Sequence, residues 1–504
     1  MPDTSATQPH LDPDNWDEFR RDSHRALDEM IDYLRNIREA PVWQPMPQDV
    51  SAQFRQALPR QSSSLTDVLD KFSTTIKPYA TGNVHPLFMG WVHGAGTPVG
   101  MLAEMLAAGL NANCGGRNHV GLAVERQITS WAADMLGFPQ TSSGIFVTGT
   151  SAANHLALLV ARSSSTGHSI RKIGLAETGA QFVVYASAEA HGCITTAVEI
   201  SGIGSNQLRL IPADSQGRIR LDLLKEAIAA DRQAGRRPLL VVGTAGTVNY
   251  GAFDDLTSLA AICRTEHLWF HVDGAFGALC ALTPRLRPLV SGIEKADSVA
   301  FDFHKWAHVP YDAGFLLVRD AEAHRRTFAN QAAYLSRASR GLATGETWPC
   351  DLGPDLSRGF RALKTWFTFQ VFGADRIGAC IEHTCCVAKH LETLLSDSDL
   401  FETSAPVPLN IVCFSLKTSN HDEWNERIVI DLQERGLAAP SMTRLNGRAV
   451  MRAAIVNHRT TEQDMDTFVA ELQNAALRVA SDELSAPSDR QFNLPPRDRR
   501  VSAE

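Results

Sequence analysis

The sequence lacks any long apolar segment. No run approaches the roughly 18 consecutive apolar residues that cross a bilayer. The N-terminal stretch MPDTSATQPHLDPDNWDEFRRD also has no apolar core of the kind that secretory signals carry. These absences predict a protein with no membrane partner, and the cytoplasm is its expected location.

Metal-binding and redox cysteine motifs are missing too. The nine cysteines are irregularly spaced, and the close pair Cys385 and Cys386 is adjacent in sequence, unlike a CxxC arrangement. They are expected to be free thiols in a reducing compartment, and no metal site is predicted. An excess of basic residues is likewise absent. The net charge of −8 argues against a nucleic acid as partner, because such partners select basic surfaces.

The length predicts several domains. With 504 residues, the chain exceeds the roughly 250–300 residues at which a single hydrophobic core stops growing. Residues 1–84 contain an amphipathic helix that starts near Asp12 and then shorter, proline-broken helical pieces, which together predict an N-terminal helical arm. A second copy of the chain is the favoured cover for this arm, and cover by the same chain is the alternative.

The rest of the chain predicts an α/β fold. Within residues 85–375, helical segments alternate with short apolar runs such as GIFVTG, QFVVYAS and PLLVVGTAG, which predicts a large domain with a mostly parallel sheet. Residues 376–480 predict a small C-terminal α/β domain with an antiparallel sheet. Residues 481–504 are polar and aperiodic and are predicted to be disordered.

Two strand ends carry opposite charges that are expected to meet. Asp273 ends the run LWFHVD, and Lys305 follows the run SVAFDFH. Ligands collect at the carboxyl ends of parallel strands. A lysine in that position can form an imine with a carbonyl cofactor, and a carboxylate can keep a pyridine nitrogen protonated. Gly274 and Ala275 are small enough to leave room for a flat ring.

The stretch from VDGA to HKW resembles the group II pyridoxal-5′-phosphate (PLP) decarboxylases, the family of aromatic-L-amino-acid, histidine and glutamate decarboxylases. The resemblance extends from HPLFMGW through FRALKTWF to the C-terminal unit. It implies PLP as cofactor, the fold type I architecture of aminotransferases, and a homodimer with its active site at the subunit interface. It also implies that Lys305 binds the cofactor covalently and that Asp273 faces the pyridine nitrogen.

Further cofactor contacts are implied by the same resemblance. His191 matches a histidine that stacks on the pyridine ring. Thr150 and Ser151, at the start of a helix, match phosphate contacts, although such residues are also ordinary helix caps. Thr247 matches a threonine near the ring oxygen. The remaining cofactor contacts are expected to be Ala275 and His304. Asp302 stands where some relatives have asparagine, and its negative charge would repel phosphate.

The substrate is expected to meet a second group of residues. Tyr334, in a polar loop, matches a tyrosine that protonates the substrate carbon, and a packed aromatic is the alternative. Arg358 matches an arginine that holds the substrate carboxylate, a role that Arg361 could also take. Trp91 and His93 are expected to line the pocket, where few basic residues favour an apolar or aromatic substrate.

The predicted reaction is decarboxylation of an L-amino acid to its amine and CO2. The catalytic residues would be Lys305, Asp273, His191 and Tyr334. Two alternatives remain open: a decarboxylating oxidase that yields an aldehyde, and a PLP-binding interaction protein without turnover.

Overall fold

The computed structural model describes residues 10–330, 336–345, 347–418 and 421–485. The N-terminal helices are α1 (Trp16–Arg35), α2 (Gln48–Gln53) and α3 (Leu65–Lys71). Asn15 caps α1, since its side chain accepts hydrogen bonds from the backbone N–H groups of Asp17 and Glu18. None of the residues of α1 is buried. The helix predicted near Asp12 therefore forms, and its own chain covers it only in part, through its contact with α3.

The large unit contains a seven-stranded sheet flanked by helices. Its strands are β1 (Ser143–Val147), β2 (Phe182–Ser187), β3 (Leu208–Ile211), β4 (Arg237–Thr244), β5 (Trp269–Asp273), β6 (Ser298–Asp302) and β7 (Gly314–Val318). Its helices are α4 (Pro98–Leu110), α5 (Val120–Leu136), α6 (Thr150–Ser165), α7 (Ile170–Ile173), α8 (Cys193–Ile200), α9 (Leu221–Gln233), α10 (Leu256–Thr265) and α11 (Ala321–Phe328).

The strand order in this sheet is β1-β7-β6-β5-β4-β2-β3. Strand β7 pairs antiparallel with both β1 and β6, and the other pairings are parallel. The mostly parallel α/β sheet predicted from the apolar runs is therefore confirmed. Strands β1, β2, β6 and β7 are buried along their whole length, as expected where helices cover both faces.

The C-terminal unit is a four-stranded antiparallel sheet with helices. Its strands are β8 (Phe401–Thr403), β9 (Ile411–Leu416), β10 (Ser441–Leu445) and β11 (Arg448–Ala454), in the order β10-β11-β9-β8. Its helices are α12 (Arg361–Ser396), α13 (His421–Glu434) and α14 (Glu462–Ser485). Helix α12 crosses the predicted boundary at 375/376, and its backbone leaves helical geometry at Gly373 (φ 73°, ψ 157°).

The second half of the predicted arm packs on the C-terminal unit. The Arg38 guanidinium pairs with Asp464 at 2.6 Å, and the backbone N–H of Val42 donates to the carbonyl oxygen of Gly436. From the other side, Arg452 on β11 donates to the carbonyl oxygens of Trp91 and Val248. These bonds join the C-terminal unit to segments of the large unit that border its cavity.

The C-terminal helix is longer than predicted. Residues 481–485 belong to α14, so the tail predicted to be disordered begins too early. Residues 486–504 lie outside the described residues. Over the described ranges, none of the helices combines the length and apolarity that a membrane span requires.

Candidate active site

One cavity lies at the sheet edge where β1, β4, β5 and β6 end. Its volume is about 350 Å³. Because these strands all run in the same direction, their carboxyl ends deliver polar residues to one place. The predicted site residues that line the cavity are Trp91, His93, Thr150, Ser151, His191, Asp273, Ala275, His304 and Lys305.

Lys305 forms an ion pair inside this cavity. Its Nζ lies 3.0 Å from Oδ2 of Asp302, whose Oδ1 accepts a hydrogen bond from the backbone N–H of Thr150 at 2.7 Å. The Asp302 carboxylate is buried. A single carboxylate thus joins the lysine to the first turn of α6.

Asp273 is buried on the same wall. Its Oδ2 accepts a hydrogen bond from Nδ2 of Asn154 at 3.0 Å, and its Oδ1 accepts one from the backbone N–H of Ala275 at 3.2 Å. Burial raises the pKa of the Asp273 carboxyl, while the charge of Lys305 and these two hydrogen bonds act in the opposite direction. The carboxylate is therefore in a site where a partner cation would stabilise it strongly.

The first turn of α6 offers unused hydrogen-bond donors. Gly149 is its N-cap, and the buried Oγ1 of Thr150 has no hydrogen-bond partner among the described residues. Gly314 at the start of β7 packs directly on this turn, because a Cβ there would lie 2.4 Å from Cα of Gly149. Backbone N–H groups at a helix start, together with the hydroxyls of Thr150 and Ser151, suit a phosphate.

Aromatic rings form another wall of the cavity. The His93 ring stacks 5.6 Å from Trp91 and lies 6.2 Å from Tyr311, which in turn lies 4.3 Å from His304. Burial and the charge of Lys305 lower the pKa of His93, and burial lowers the pKa of His304 to about 4. Both imidazoles are therefore neutral at pH 7, and this wall adds no positive charge.

His191 lies exposed at the mouth of the cavity. Its Nδ1 accepts a hydrogen bond from the backbone N–H of Cys193 at 3.1 Å. With Nδ1 acting as acceptor, a neutral ring has its proton on Nε2. His191 can therefore donate a hydrogen bond into the cavity.

The structure does not bring Arg358 to the cavity. Its buried guanidinium donates to both carboxylate oxygens of Glu125 (2.7 and 3.0 Å) and to the carbonyl oxygens of Cys114 and Phe146. Withdrawing it would leave Glu125 buried without its partner, at a cost of about 3–5 kcal/mol. The assignment of Arg358 to the substrate carboxylate is thus wrong for this arrangement. Arg361, the alternative, pairs with Asp312.

Thr247 also lies away from the cavity wall. Strand β4 ends at Thr244, and Thr247 falls in the following turn, where its Oγ1 accepts a hydrogen bond from the backbone N–H of Ala252. Thr244 lines the cavity instead, and its buried Oγ1 meets no hydrogen-bond partner in the part of the chain that the structure describes. The last residue of the apolar run VVGT was the signal that could have identified it. Tyr334 lies outside the described residues.

These residues fit PLP. Thr150 and Ser151 would hold the phosphate, Asp273 would face the pyridine nitrogen, and Lys305 would supply the amine for the aldehyde. The unpartnered hydroxyls of Thr150 and Thr244 are the buried groups that a polar ligand would satisfy. Asp302 is the one feature that opposes a phosphate nearby.

Comparisons with known proteins agree with this chemistry. The pyridoxal-dependent decarboxylase conserved domain matches residues 47–417. Aromatic-L-amino-acid decarboxylase of Bacillus atrophaeus is 31% identical over 478 residues, which is 92% of this chain and 96% of that protein. Histidine decarboxylase of Rattus norvegicus is 29% identical over 506 residues, which is 96% of this chain and 75% of that protein.

The fold has a close counterpart among solved structures. The crystal structure of Oryza sativa TDC with PLP and tryptamine matches with a TM-score of 0.85 at 24% identity, covering 93% of this chain and 100% of that one. This similarity confirms the predicted fold type I. The family match includes the large sheet and every strand end that borders the cavity. The chain therefore belongs to the pyridoxal-dependent decarboxylase family, as a carboxy-lyase that acts on an amino acid with PLP as its cofactor.

Proposed function

We propose that this enzyme converts an L-amino acid with an aromatic or apolar side chain to the corresponding amine and CO2. The observation that carries the proposal is the shared cavity of Lys305, Asp273 and the aromatic wall. When bound, PLP supplies an electron-accepting ring for the bond that breaks between Cα and the carboxylate. Family membership as a carboxy-lyase argues against the alternative of a binding protein without turnover.

Each residue has a defined task in this proposal. Lys305 anchors the cofactor through its side-chain nitrogen, and Asp273 stabilises positive charge on the ring nitrogen. Thr150 and Ser151 bind the phosphate. His191 donates from Nε2 toward the substrate carboxylate, since its Nδ1 is already used as an acceptor.

The charge of the cavity supports the substrate class. Among the described residues that line it, Lys305 is the one lysine or arginine, and it is paired with Asp302. A second carboxylate on the substrate would find no free cation there and would have to be desolvated. Trp91, His93 and Tyr311 instead offer ring faces and edges, against which an aromatic side chain can pack.

The anchoring role of Lys305 predicts the behaviour of Lys305→Ala. This variant is expected to lose the visible absorbance band of the covalently bound cofactor and to release no CO2 from any of the proteinogenic amino acids. Absorbance spectra and a CO2 assay measure both. Lys295→Ala, at an exposed lysine remote from the cavity wall, is the control and keeps both. Normal CO2 release by Lys305→Ala would refute the assignment.

The role assigned to Tyr334 predicts which product the enzyme forms. If it returns the proton to Cα, the wild-type enzyme yields amine, and Tyr334→Phe binds PLP normally but loses amine formation. Product analysis in air by mass spectrometry tests this. Aldehyde as the main wild-type product would favour the decarboxylating oxidase, and unchanged amine formation by Tyr334→Phe would remove the role of Tyr334.

The proposal extends to assembly and location. A homodimer is supported by α1, which has no buried residue, and by a stripe of exposed apolar side chains on α4: Leu102, Met105, Leu106 and Leu110. Apolar area of this kind is typical of a protein interface. A cytoplasmic location is supported by the nine cysteines, all of which are unpaired.

A further inference from the structure

A buried hydrogen-bond network extends behind Asp273, away from the cavity. Nδ2 of Asn154 donates to Oδ2 of Asp273 at 3.0 Å, and Oδ1 of Asn154 lies 2.8 Å from Nε2 of His271. Nδ1 of His271 lies 2.8 Å from Oγ of Ser298, which accepts a hydrogen bond from Nε1 of Trp269 at 2.8 Å. We call these five residues the Asp273 network.

When Asp273 is ionised, every hydrogen bond in this network has one direction. An ionised Asp273 only accepts, so the amide NH2 of Asn154 must face it and the amide oxygen must face His271. Burial lowers the pKa of His271 to about 3, so the ring is neutral and has a single proton. That proton must be on Nε2, because it faces the oxygen of Asn154.

The Trp269 end of the network requires the same direction of hydrogen bonding. The indole N–H of Trp269 only donates, and it occupies one lone pair of the Ser298 hydroxyl. The Ser298 proton then has an acceptor in the unprotonated Nδ1 of His271. If Asp273 took up a proton and donated to Asn154, the Asn154 amide would have to turn over, the His271 proton would move to Nδ1, and Ser298 would lose this acceptor. The network therefore favours the ionised form of Asp273.

We propose that Asn154 and His271 are positioning residues that keep Asp273 ionised and aimed at the cofactor's ring nitrogen. Neither residue lines the cavity, so both act through the carboxylate. The second amide proton of Asn154 is also used, because Nδ2 lies 3.3 Å from Sγ of Cys193. The amide therefore cannot rotate without losing two bonds. This inference rests on the proposed role of Asp273.

The ring nitrogen itself gives the most direct measurement. Holoenzyme reconstituted with PLP that is ¹⁵N-labelled in the ring reports the protonation of that atom through its chemical shift. In the wild type, a protonated nitrogen is expected near neutral pH. Asn154→Ala removes one donor from the carboxylate, which makes Asp273 compete for the proton. The equilibrium between a proton on the ring nitrogen and one on Asp273 should then shift roughly tenfold toward Asp273, the value of one charged hydrogen bond.

Asn154→Leu is the matched variant of similar side-chain volume. It removes the amide donor and adds no charge, so Asp273 is again left to compete for the proton. Its ¹⁵N shift should move toward the unprotonated value as that of Asn154→Ala does. Because the side-chain volume is similar, this variant keeps the test open if the alanine variant fails to fold.

Two controls separate the possible failures. Asn425 is another buried asparagine whose side chain makes two hydrogen bonds to backbone, in the C-terminal unit. Asn425→Ala should lower stability and leave the ¹⁵N shift unchanged. Asp273→Asn should move the shift most of all. If Asp273→Asn leaves it unmoved, the proposed role of Asp273 fails. If only Asp273→Asn moves it, the network is structural and the inference about Asn154 is overturned.

Discussion

At the scale of single residues, Asp302 is the most unusual feature of the site. Its carboxylate is buried between the ammonium group of Lys305 and the backbone N–H of Thr150, where the cofactor phosphate would need positive surroundings. The ion pair with Lys305 offsets part of the desolvation cost of this buried charge. A phosphate bound at the start of α6 nevertheless meets a like charge.

Asp302→Asn is therefore expected to bind phosphate more tightly. The amide oxygen can still accept from Thr150, while the repulsion disappears, so the affinity of cofactor-free protein for PLP and for inorganic phosphate should rise about tenfold, or about 1.4 kcal/mol. Calorimetric titration measures both. Asp297→Asn is the control, since Asp297 lies just before β6, at the opposite end of that strand from the cavity. Weaker binding by Asp302→Asn would mean that its present contacts outweigh the repulsion.

Some residue roles follow from the sequence because they depend on local position. Asp273 and Lys305 could be predicted to meet, since each follows an apolar run and strand ends of a parallel sheet share an edge. Arg358 could not be placed in this way. Its partner Glu125 lies 233 positions earlier, and only the folded chain shows that the guanidinium is already occupied.

At the scale of elements, the crossing of β7 and the first turn of α6 determines the shape of the phosphate site. Gly314 opens β7, and a Cβ there would lie 2.4 to 2.6 Å from the backbone atoms of Gly149. Backbone atoms this close cannot move aside for a new Cβ in the way that the end of a flexible side chain can. The strand and the turn can approach this closely because Gly314 has no side chain.

Gly314→Ala is thus expected to displace the first turn of α6. The free energy of unfolding should fall by about 1–3 kcal/mol, as in other overpacked sites, and phosphate affinity should fall with it. Urea unfolding and phosphate titration are the measurements. Gly359→Ala is the matched control, because a Cβ there meets no atom within 4 Å, and its effect should stay within about 0.5 kcal/mol. Equal effects of the two substitutions would contradict this account.

The elements themselves were predictable to different degrees. Apolar runs identified the strands of the large sheet, since buried strands need continuous apolar sequence. The residue at which each strand ends was harder to predict from the sequence. The run PLLVVGTAG does not show that β4 stops at Thr244, and this shift of three residues misplaced Thr247. The predicted boundary at 375/376 lies close to the break at Gly373, where two helical segments of α12 meet at a kink.

At the scale of the whole molecule, the chain buries its apolar surface unevenly. The segment after α1 packs on the C-terminal unit through Arg38 and Val42, a contact between distant parts of the chain that periodicity could not reveal. Helix α1 contacts α3 but has no buried residue, and α4, within the large unit, exposes its apolar stripe. The uncovered surfaces therefore belong to two separate elements.

A homodimer that covers α4 predicts a specific response to charge. The wild-type protein should sediment at twice the mass of the chain, and Leu106→Glu should sediment at the mass of one chain, because a buried carboxylate without a partner is costly at an interface. Leu477→Glu is the control, since Leu477 is an exposed leucine on α14 and lies outside that stripe, and this variant should remain dimeric. If both variants stay dimeric, the interface lies elsewhere. A wild-type chain that remains monomeric at micromolar concentration would overturn the dimer.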